Sequence, residues 1–387
     1  MTTEAQPLRG EGATTFGFCA PELSADRLGA GLLRSWRERF GAALAEGVGN
    51  TELQAAGLDC WMQAEELTVM GITDPLKRLP DLLRRRGDMV RRWCGSPPSA
   101  FIGIDQPDFN LPLARRLRAR GIPTVHYVCP SIWAWRPGRV KTLLRSVDLV
   151  LCLFPFEAEL LRSAGVRAEV VGHPLADASP AEYIPPEAAR SELGLNPEQP
   201  CLGLLPGSRG SEIDHVLPVM ARTAEMLQRT EPTLQILISA AGEVQHRRIE
   251  QCLPDVRWRI VEGPLRPLVL ASDAVAVTSG TATLEVALLR RPMAVVWRAS
   301  WLNHAILSRV NRSKWIALPN VLLGGEVVPE LIQDEASPER LARELEAMLS
   351  DQGRRFQGDY ERLLAELALG ADERAAQALH HILEGAA

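Results

Sequence analysis

No apolar run in the sequence approaches the roughly 18 residues that a spanning helix needs. Any meeting with a membrane is therefore expected from the side. The opening stretch, "MTTEAQPLRGEGATTF", lacks the charged start and apolar core of a signal peptide. Positive charge is not in excess: 43 Lys and Arg against 48 Asp and Glu leave a net charge of -5. That argues against nucleic-acid binding through a basic surface. The seven cysteines (Cys19, Cys60, Cys94, Cys129, Cys152, Cys201 and Cys252) are odd in number, widely spread, and form no Cys-x-x-Cys pair. The pattern suits reduced thiols in a cytoplasm, with neither a disulfide framework nor a zinc site. No Gly-x-Gly-x-x-Gly follows a first strand, so an NAD-binding reading is weak. Internal repeats of short period and low-complexity segments are also lacking.

What is there is globular. A hydrophobic fraction of 46% and a charged fraction of 24% are ordinary for a folded chain, and 387 residues suffice for two domains. Short apolar strands alternate with amphipathic helical stretches. "AFIGID" (100–105), "PTVHYV" (123–128), "LVLCLF" (149–154) and "AEVVG" (168–172) form one series. "CLGLLPG", "LQILISA", "WRIVEG", "DAVAVTSG" and "PMAVVWR" form a second. Such alternation predicts parallel sheets covered by helices on both faces, hence an α/β protein of two doubly wound domains. The Pro- and Ala-rich stretch 172–190 reads as the linker. The expected domains are 1–172 and 173–336, followed by a helical tail over 337–387.

Ligands in open parallel sheets bind beyond the carboxyl ends of the strands, so the residues after each strand carry the chemistry. Four corners stand out. In "LGLLPGSRGSE" (202–212), Gly207, Ser208 and Arg209 put free N–H groups, close backbone approach and a guanidinium at a helix start. That combination suits a diphosphate; alone it reads equally as a tight turn with a solvated Arg. In "VTSGTATLEVALL" (277–289), Ser279, Gly280 and Thr281 open a helix carrying Glu285, which can accept from vicinal hydroxyls. Ser and Thr here also read as plain N-caps, but two such corners in one domain suggest a nucleoside diphosphate.

In "GIDQPDFN" (103–110), Asp105 ends a buried strand, where a carboxylate is costly without a partner or a task. It is a candidate general base, with Asn110 shaping the loop; a helix-capping Asp is the plainer alternative. The fourth corner, "HYVCPSIWAWRPGRV" (126–140), places Ser131, Trp133, Trp135 and Arg136 after a strand. The Trp residues are either core or the wall of a sugar or acyl site with a cation nearby.

These strings, with "GHPLAD", "SGTATLE" and "LPNVLLGGEVVPELIQ", closely resemble the lipid-A-disaccharide synthase family, in order and over nearly the whole chain. The resemblance implies a GT-B glycosyltransferase, two Rossmann-like domains facing a central cleft. It implies transfer from UDP-2,3-diacylglucosamine to 2,3-diacylglucosamine 1-phosphate, forming the β-1,6-linked disaccharide 1-phosphate and UDP. On that basis Asp105 is the base; Gly207, Ser208, Arg209, Ser279, Gly280, Thr281, Glu285 and Asn320 hold the UDP-sugar. Glu22, Ser24, Asp26, Asn110, Ser131, Trp133, Trp135 and Arg136 lie toward the acceptor. Neither a cofactor nor a metal is implied, and the sequence has no Asp-x-Asp motif.

The family's peripheral membrane attachment, at the cytoplasmic surface of the inner membrane, points to residues 69–93. There Leu76, Leu79, Leu82 and Leu83 accompany Lys77, Arg78, Arg84, Arg85, Arg86, Arg91 and Arg92. A solvated helix face is the alternative reading, and Thr73, Asp74 and Pro75 dilute the apolar character. The C-terminal helices can support a homodimer. One departure matters. Where the family has Ala-Gly-Glu-x-Ser-Gly-Asp after its first strand, this chain has "APELSAD" (20–26), with Pro21 and Ala25 for the glycines. Pro fixes φ and Ala penalises positive φ, so the loop either sits differently or was never strained. A UDP-sugar epimerase shares the fold but not the family's strings. A weakened or non-catalytic nucleotide- or lipid-binding paralogue would be unlikely to keep Asp105, Arg209, Glu285 and Asn320 together.

Overall fold

The structure, a computed structural model, describes residues 14–63, 67, 75–132, 138–177, 184–254, 258–299, 314–351 and 354–385. The chain divides into two compact units, one of residues 1–174 and 368–387, the other of 175–367.

The first unit is a seven-stranded, wholly parallel sheet. Its strands are β1 (Thr14–Cys19), β2 (Ala43–Gly49), β3 (Leu58–Gln63), β4 (Ala100–Ile104), β5 (Thr124–Tyr127), β6 (Leu149–Cys152) and β7 (Ala168–Val170). Their order is β3-β2-β1-β4-β5-β6-β7. Helices α1 (Leu23–Phe40), α2 (Thr51–Ala55), α3 (Pro75–Gly95), α4 (Pro107–Arg118), α5 (Arg139–Ser146) and α6 (Pro155–Ser163) make the crossovers. Every residue of β4, β5 and β6 is buried, because helices cover both faces of a parallel sheet. Each fully buried Ile, Leu or Phe contributes about 1.5–3 kcal/mol, which is why these apolar runs set the centre of the sheet. Strands β1 to β3 escape the alternation reading. In β2 the apolar run is broken by Glu46 and two glycines, and β3 is half polar.

The second unit repeats the plan with six parallel strands: β8 (Cys201–Leu205), β9 (Gln235–Ala240), β10 (Arg259–Glu262), β11 (Ala274–Thr278), β12 (Met293–Trp297) and β13 (Glu330–Ile332). The order is β10-β9-β8-β11-β12-β13. Short helices α7 (Pro174–Asp177) and α8 (Pro186–Glu192) lead in. Then come α9 (Gly210–Thr230), α10 (Glu243–Cys252), α11 (Leu265–Ala271), α12 (Thr281–Leu288) and α13 (Leu318–Leu323). The three-residue β13 is too short to read from periodicity.

The last 50 residues do not stay together. Helices α14 (Pro338–Asp351) and α15 (Gln357–Leu367) pack in the second unit, α14 on α9 and α15 on α12 and α13. Helix α16 (Ala371–Glu384) packs on α1 in the first. There the Phe40 ring stacks on His380 at 4.2 Å and Arg39 pairs with Glu373 at 2.6 Å. Gly31 is what lets Asp372 approach: a Cβ there would stand 2.2 Å from its Oδ2.

In both sheets the strand order reverses once, between β1 and β4 and between β8 and β11. Doubly wound sheets bind ligands at such switch points, outside the carboxyl ends of the strands. The topology thus selects four loops: those after β1, β4, β8 and β11.

Candidate active site

In the first unit, Cys19 of β1 pairs with Gly103 of β4, so the loops beginning at Ala20 and Asp105 start side by side. Asp105 adopts φ 52 and Gln106 φ 39; Val128, after the neighbouring β5, adopts φ 76. Three consecutive or adjacent non-glycine residues in the left-handed region cost about 1–3 kcal/mol each. Such strain persists only where the surroundings hold it. Here the Asp105 N–H donates to the Tyr127 carbonyl at 2.9 Å. The Asn110 amide donates to the carbonyls of Asp105 (2.8 Å), Ile104 (3.2 Å) and Cys19 (3.3 Å), binding both loops. Pro107 at the start of α4 fixes the exit.

The Asp105 carboxylate is mostly buried, and Glu22 stands close enough to repel it. Burial first and the Glu22 charge second push its pKa up to about 6, against the Gln106 N–H donating to Oδ1 at 2.8 Å. Gln106 also ties the pair together, its amide donating to Glu22 Oε1 at 3.2 Å. A carboxylate near neutrality beside a like charge is the signature of a proton acceptor. Gln106 was not picked out from the sequence; its place between Asp105 and a proline was the signal available.

The remaining acceptor-side candidates separate. Glu22 and Ser24 are exposed at the start of α1, and Ser131 is exposed after β5. Asp26 and Asn110 do not face a ligand. Asp26 is 1% exposed, with Oδ1 accepting from Asn50 N–H (2.6 Å) and Oδ2 from Glu52 (2.8 Å) and Leu53 (3.3 Å). It therefore satisfies the orphan donors at the start of α2. Asn110 is fully buried, its amide nitrogen spent on the loop carbonyls. Trp133, Trp135 and Arg136 lie outside the described residues. The "APELSAD" loop is unstrained: Pro21 and Ala25 are buried, neither has positive φ, and Ala25 already lies within α1. Nothing at those two positions requires glycine.

In the second unit, Leu205 of β8 pairs with Val277 of β11, which sets the corners after these two strands side by side. Gly207 has φ 108, and a Cβ on it would stand 2.4 Å from Glu212 Oε2 and 3.0 Å from Thr278 Cγ2. Only glycine allows this approach. Glu212 accepts from the Arg209 N–H (3.2 Å) and from Arg209 Nη1 (2.9 Å), holding an exposed guanidinium at the N-terminus of the 21-residue α9. Ser208 is exposed as well, its carbonyl accepting from Gln245 at 2.9 Å. Thr281 is exposed at the start of α12, after Gly280 at φ 144, and Glu285 is half-buried one turn on. Two helix N-termini and the exposed Arg209, itself held by Glu212, lie at this corner, an arrangement suited to an anion.

Behind these corners a polar cluster pins residues 316–320. Ser279 Oγ donates to the Ile316 carbonyl at 2.8 Å, and Thr283 Oγ1 accepts from the Leu318 N–H at 3.1 Å. Glu330 accepts from the N–H groups of Ile316 and Ala317 and from the Asn320 amide; burial raises its pKa nonetheless. Asn320 is fully buried, its Oδ1 accepting from Val327 and Val328 and its amide donating to the Val328 carbonyl. Asn320 thus holds backbone instead of facing the ligand corner, and Glu330, which the sequence reading did not single out, shares that task. A hollow of about 430 Å³ lies elsewhere, lined by Asp273, Arg291 and Pro292 at the amino ends of β11 and β12, away from the switch point.

On α3, Leu83 and Arg84 are exposed, whereas Arg86 is buried with its guanidinium 5.4 Å from the Phe109 ring centre. Arg92 stacks on Trp61 at 3.7 Å, and Asp81 pairs with Arg84 and Arg85. Arg86 is thus withdrawn from the basic face, while Arg84, Arg91 and Arg92 stay exposed. The side chains of Leu76, Lys77, Arg78 and Leu79 lie outside the described residues. Among the described residues no helix is long and apolar enough to cross a membrane.

Solved structures share this architecture at low identity. UDP-GlcNAc 2-epimerase from Neisseria meningitidis bound to UDP-GlcNAc superposes with a TM-score of 0.64 at 11% identity, over 96% of this chain and 99% of that one. Sucrose-phosphate synthase from Thermosynechococcus elongatus gives 0.62 at 13%, over 97% and 100%. These likenesses fix the GT-B fold alone. Sequence comparison goes further. The chain is 41% identical to lipid-A-disaccharide synthase of Burkholderia mallei over 99% of both chains. It is 45% identical to that of Neisseria meningitidis over 84% of this chain and 85% of the relative. The family model described as lipid-A-disaccharide synthetase matches residues 17–382. The chain belongs to the lipid-A-disaccharide synthase family and is a glycosyltransferase of GT-B fold.

Proposed function

We propose that the protein transfers 2,3-diacylglucosamine from UDP-2,3-diacylglucosamine to 2,3-diacylglucosamine 1-phosphate, giving the β-1,6-linked disaccharide 1-phosphate and UDP. The observation that carries the reading is Asp105, a mostly buried carboxylate with its pKa raised to about 6 at the switch point of the first sheet. Asp105 takes the proton of the acceptor 6-hydroxyl as that oxygen bonds to the anomeric carbon. The bond from that carbon to the diphosphate breaks, its electron pair leaves with UDP, and the configuration inverts in a single displacement. Charge developing on the leaving diphosphate is met by Arg209 and by the N-termini of α9 and α12. Gly207 and Ser208 supply backbone there, and Ser279, Gly280 and Thr281 border it; Glu285 is assigned to the ribose hydroxyls. No metal is required for this displacement.

Burial first, and the Glu22 charge second, keep Asp105 basic enough to accept a proton near neutral pH. Ser24 and Ser131, exposed at the same end of the first unit, are assigned to the acceptor sugar. Since both substrates carry acyl chains, the exposed Leu83 and Arg84 of α3 are assigned to a lateral contact with anionic lipid at the cytoplasmic face of the inner membrane. Disaccharide formation in detergent, from UDP-2,3-diacylglucosamine and radiolabelled 2,3-diacylglucosamine 1-phosphate, tests the reading. Product from wild type and none from Asp105→Ala, with UDP binding retained by both, is the expected result. Equal turnover by the two would remove Asp105 from the mechanism, and no product from wild type would remove the reaction.

A further inference from the structure

The parallel register of β5 and β6 sets Tyr127 opposite Leu151, and the Val128 N–H donates to the Leu151 carbonyl. One step further along, Cys129 arrives beside Cys152, the last residue of β6. Glu157 reaches the same point from the first turn of α6. The two Sγ atoms and a carboxylate oxygen of Glu157 all lie within 4.8 Å of one another, and the three residues are 4, 0 and 3% exposed. Among the described residues this is the one such grouping of potential metal ligands. No short spacing in the sequence announces it; the sheet register alone assembles it.

Two thiols and a carboxylate in one buried cluster are the donor types that a thiophilic divalent cation takes. Tetrahedral zinc, with Zn–S near 2.3 Å, separates its sulfur ligands by about 3.8 Å, so the cluster closes on such an ion with side-chain movements of less than about 1 Å. The geometry points to a buried binding site for one thiophilic divalent cation of the zinc class, held by Cys129, Cys152 and Glu157. On binding, each thiol gives its proton to solvent and its sulfur lone pair to the metal; no electrons change hands. Two thiolates and one carboxylate outweigh a divalent ion by one negative charge, and the N-terminus of the nine-residue α6 faces that excess favourably. The fourth position stays open, with the Pro130 carbonyl 3.4 Å from Cys129 Sγ.

The site shares its segment with the strained Val128 and with the Tyr127 carbonyl that receives the Asp105 N–H. Occupancy therefore ties down the strand end that supports Asp105, without touching substrate. Cd²⁺ is the probe, titrated into the reduced, chelator-stripped full chain. The expected result is thiolate-to-metal charge-transfer absorption saturating at one ion per chain, with a raised thermal midpoint. Cys129→Ser and Cys152→Ser each abolish it. Glu157→Gln weakens it by at least the roughly 10–100-fold that even outer partners of a metal site are worth. Cys94→Ser, outside the cluster, retains it. Bound Cd²⁺ must also slow maleimide labelling of Cys129 and Cys152 together in wild type, a readout independent of whether the variants fold. Absence of Cd²⁺ binding, binding that survives either serine substitution, or a Cys129–Cys152 disulfide found by non-reducing peptide mass spectrometry would each overturn the proposal.

Discussion

Replacing Asp105 by Asn separates the use of this carboxylate from its cost. Burial and the neighbouring Glu22 raise its pKa from 3.8 to about 6. A carboxyl whose folded pKa exceeds its unfolded value destabilises the fold by an amount that is absent below pH ~3.8. The penalty grows as the pH rises toward about 6 and is constant above that. At 1.36 kcal/mol per pH unit, the interval from 3.8 to about 6 amounts to about 3 kcal/mol at pH 7. Asn matches Asp in shape, still offers an oxygen to the Gln106 N–H, and tolerates the left-handed backbone at φ 52 equally well. Asp105→Asn is therefore expected to gain up to about 3 kcal/mol at pH 7 and almost nothing at pH 4. Transfer should meanwhile fall by about 10²–10⁴, the usual worth of a general base. Denaturant unfolding at the two pH values, beside the disaccharide assay, reads both quantities. A variant less stable than wild type at pH 7, or one with the same gain at both pH values, refutes the reasoning, because burial of charge would then not be the cause.

Glu22→Gln removes the second cause of that shift and leaves the larger, so the acidic limb of the kcat/KM profile near pH 6 should move toward lower pH without reaching 3.8; an unmoved limb would exclude Glu22 as its cause. Arg209→Ala deletes an exposed guanidinium held by Glu212, and the loss of a charge-assisted hydrogen bond of about 1.5–3 kcal/mol should weaken UDP binding roughly 10–100-fold at unchanged stability; calorimetric titration with UDP decides it. Asp26→Ala strands three N–H groups at the start of α2 and should cost about 2 kcal/mol or more in urea unfolding while the acceptor KM of the folded enzyme stays put; a raised KM at full stability would return Asp26 to the acceptor. Asn320→Ala orphans the N–H groups of Val327 and Val328 and takes one donor from Glu330, so a loss of about 3 kcal/mol or more is expected, and full stability with lost UDP affinity would mean that Asn320 faces the ligand after all.

Much of the architecture was legible because parallel strands covered on both faces must be continuously apolar, as "AFIGI" and "AVAVT" are. Strands with a polar or glycine interruption, such as β2, and the three-residue β13 leave no such trace. The switch-point corners were legible for a similar reason: Gly207, Arg209 and Asp105 are odd residues to find where an apolar strand ends. What the sequence could not separate was side chains facing a ligand from side chains facing backbone. Asp26, Asn110 and Asn320 have the same polar chemistry as Glu22 or Ser208, and only burial distinguishes them. The convergence of Cys129 and Cys152 is invisible for a different reason, since it depends on which strands are neighbours and in what register.

The two kinds of residue travel together in one string for a physical reason. Asp105 can present its carboxylate at the sheet's edge only if the chain turns abruptly out of β4, and that turn places two non-glycine residues at positive φ. Left alone, such a turn relaxes at a gain of about 1–3 kcal/mol per residue. Asn110, one turn into α4, resists this by binding the carbonyls of Ile104 and Asp105 and, through Cys19, the loop that carries Glu22. Glu330 and Asn320 stand in the same relation to the residues bordering α12. Asp105 thus comes with a buried clamp five positions away, whereas the residues bordering α12 draw theirs from more than 30 residues further along the chain. The clamp, having no ligand to touch, is judged by what its loss does to stability, and the exposed residue by what its loss does to binding and turnover.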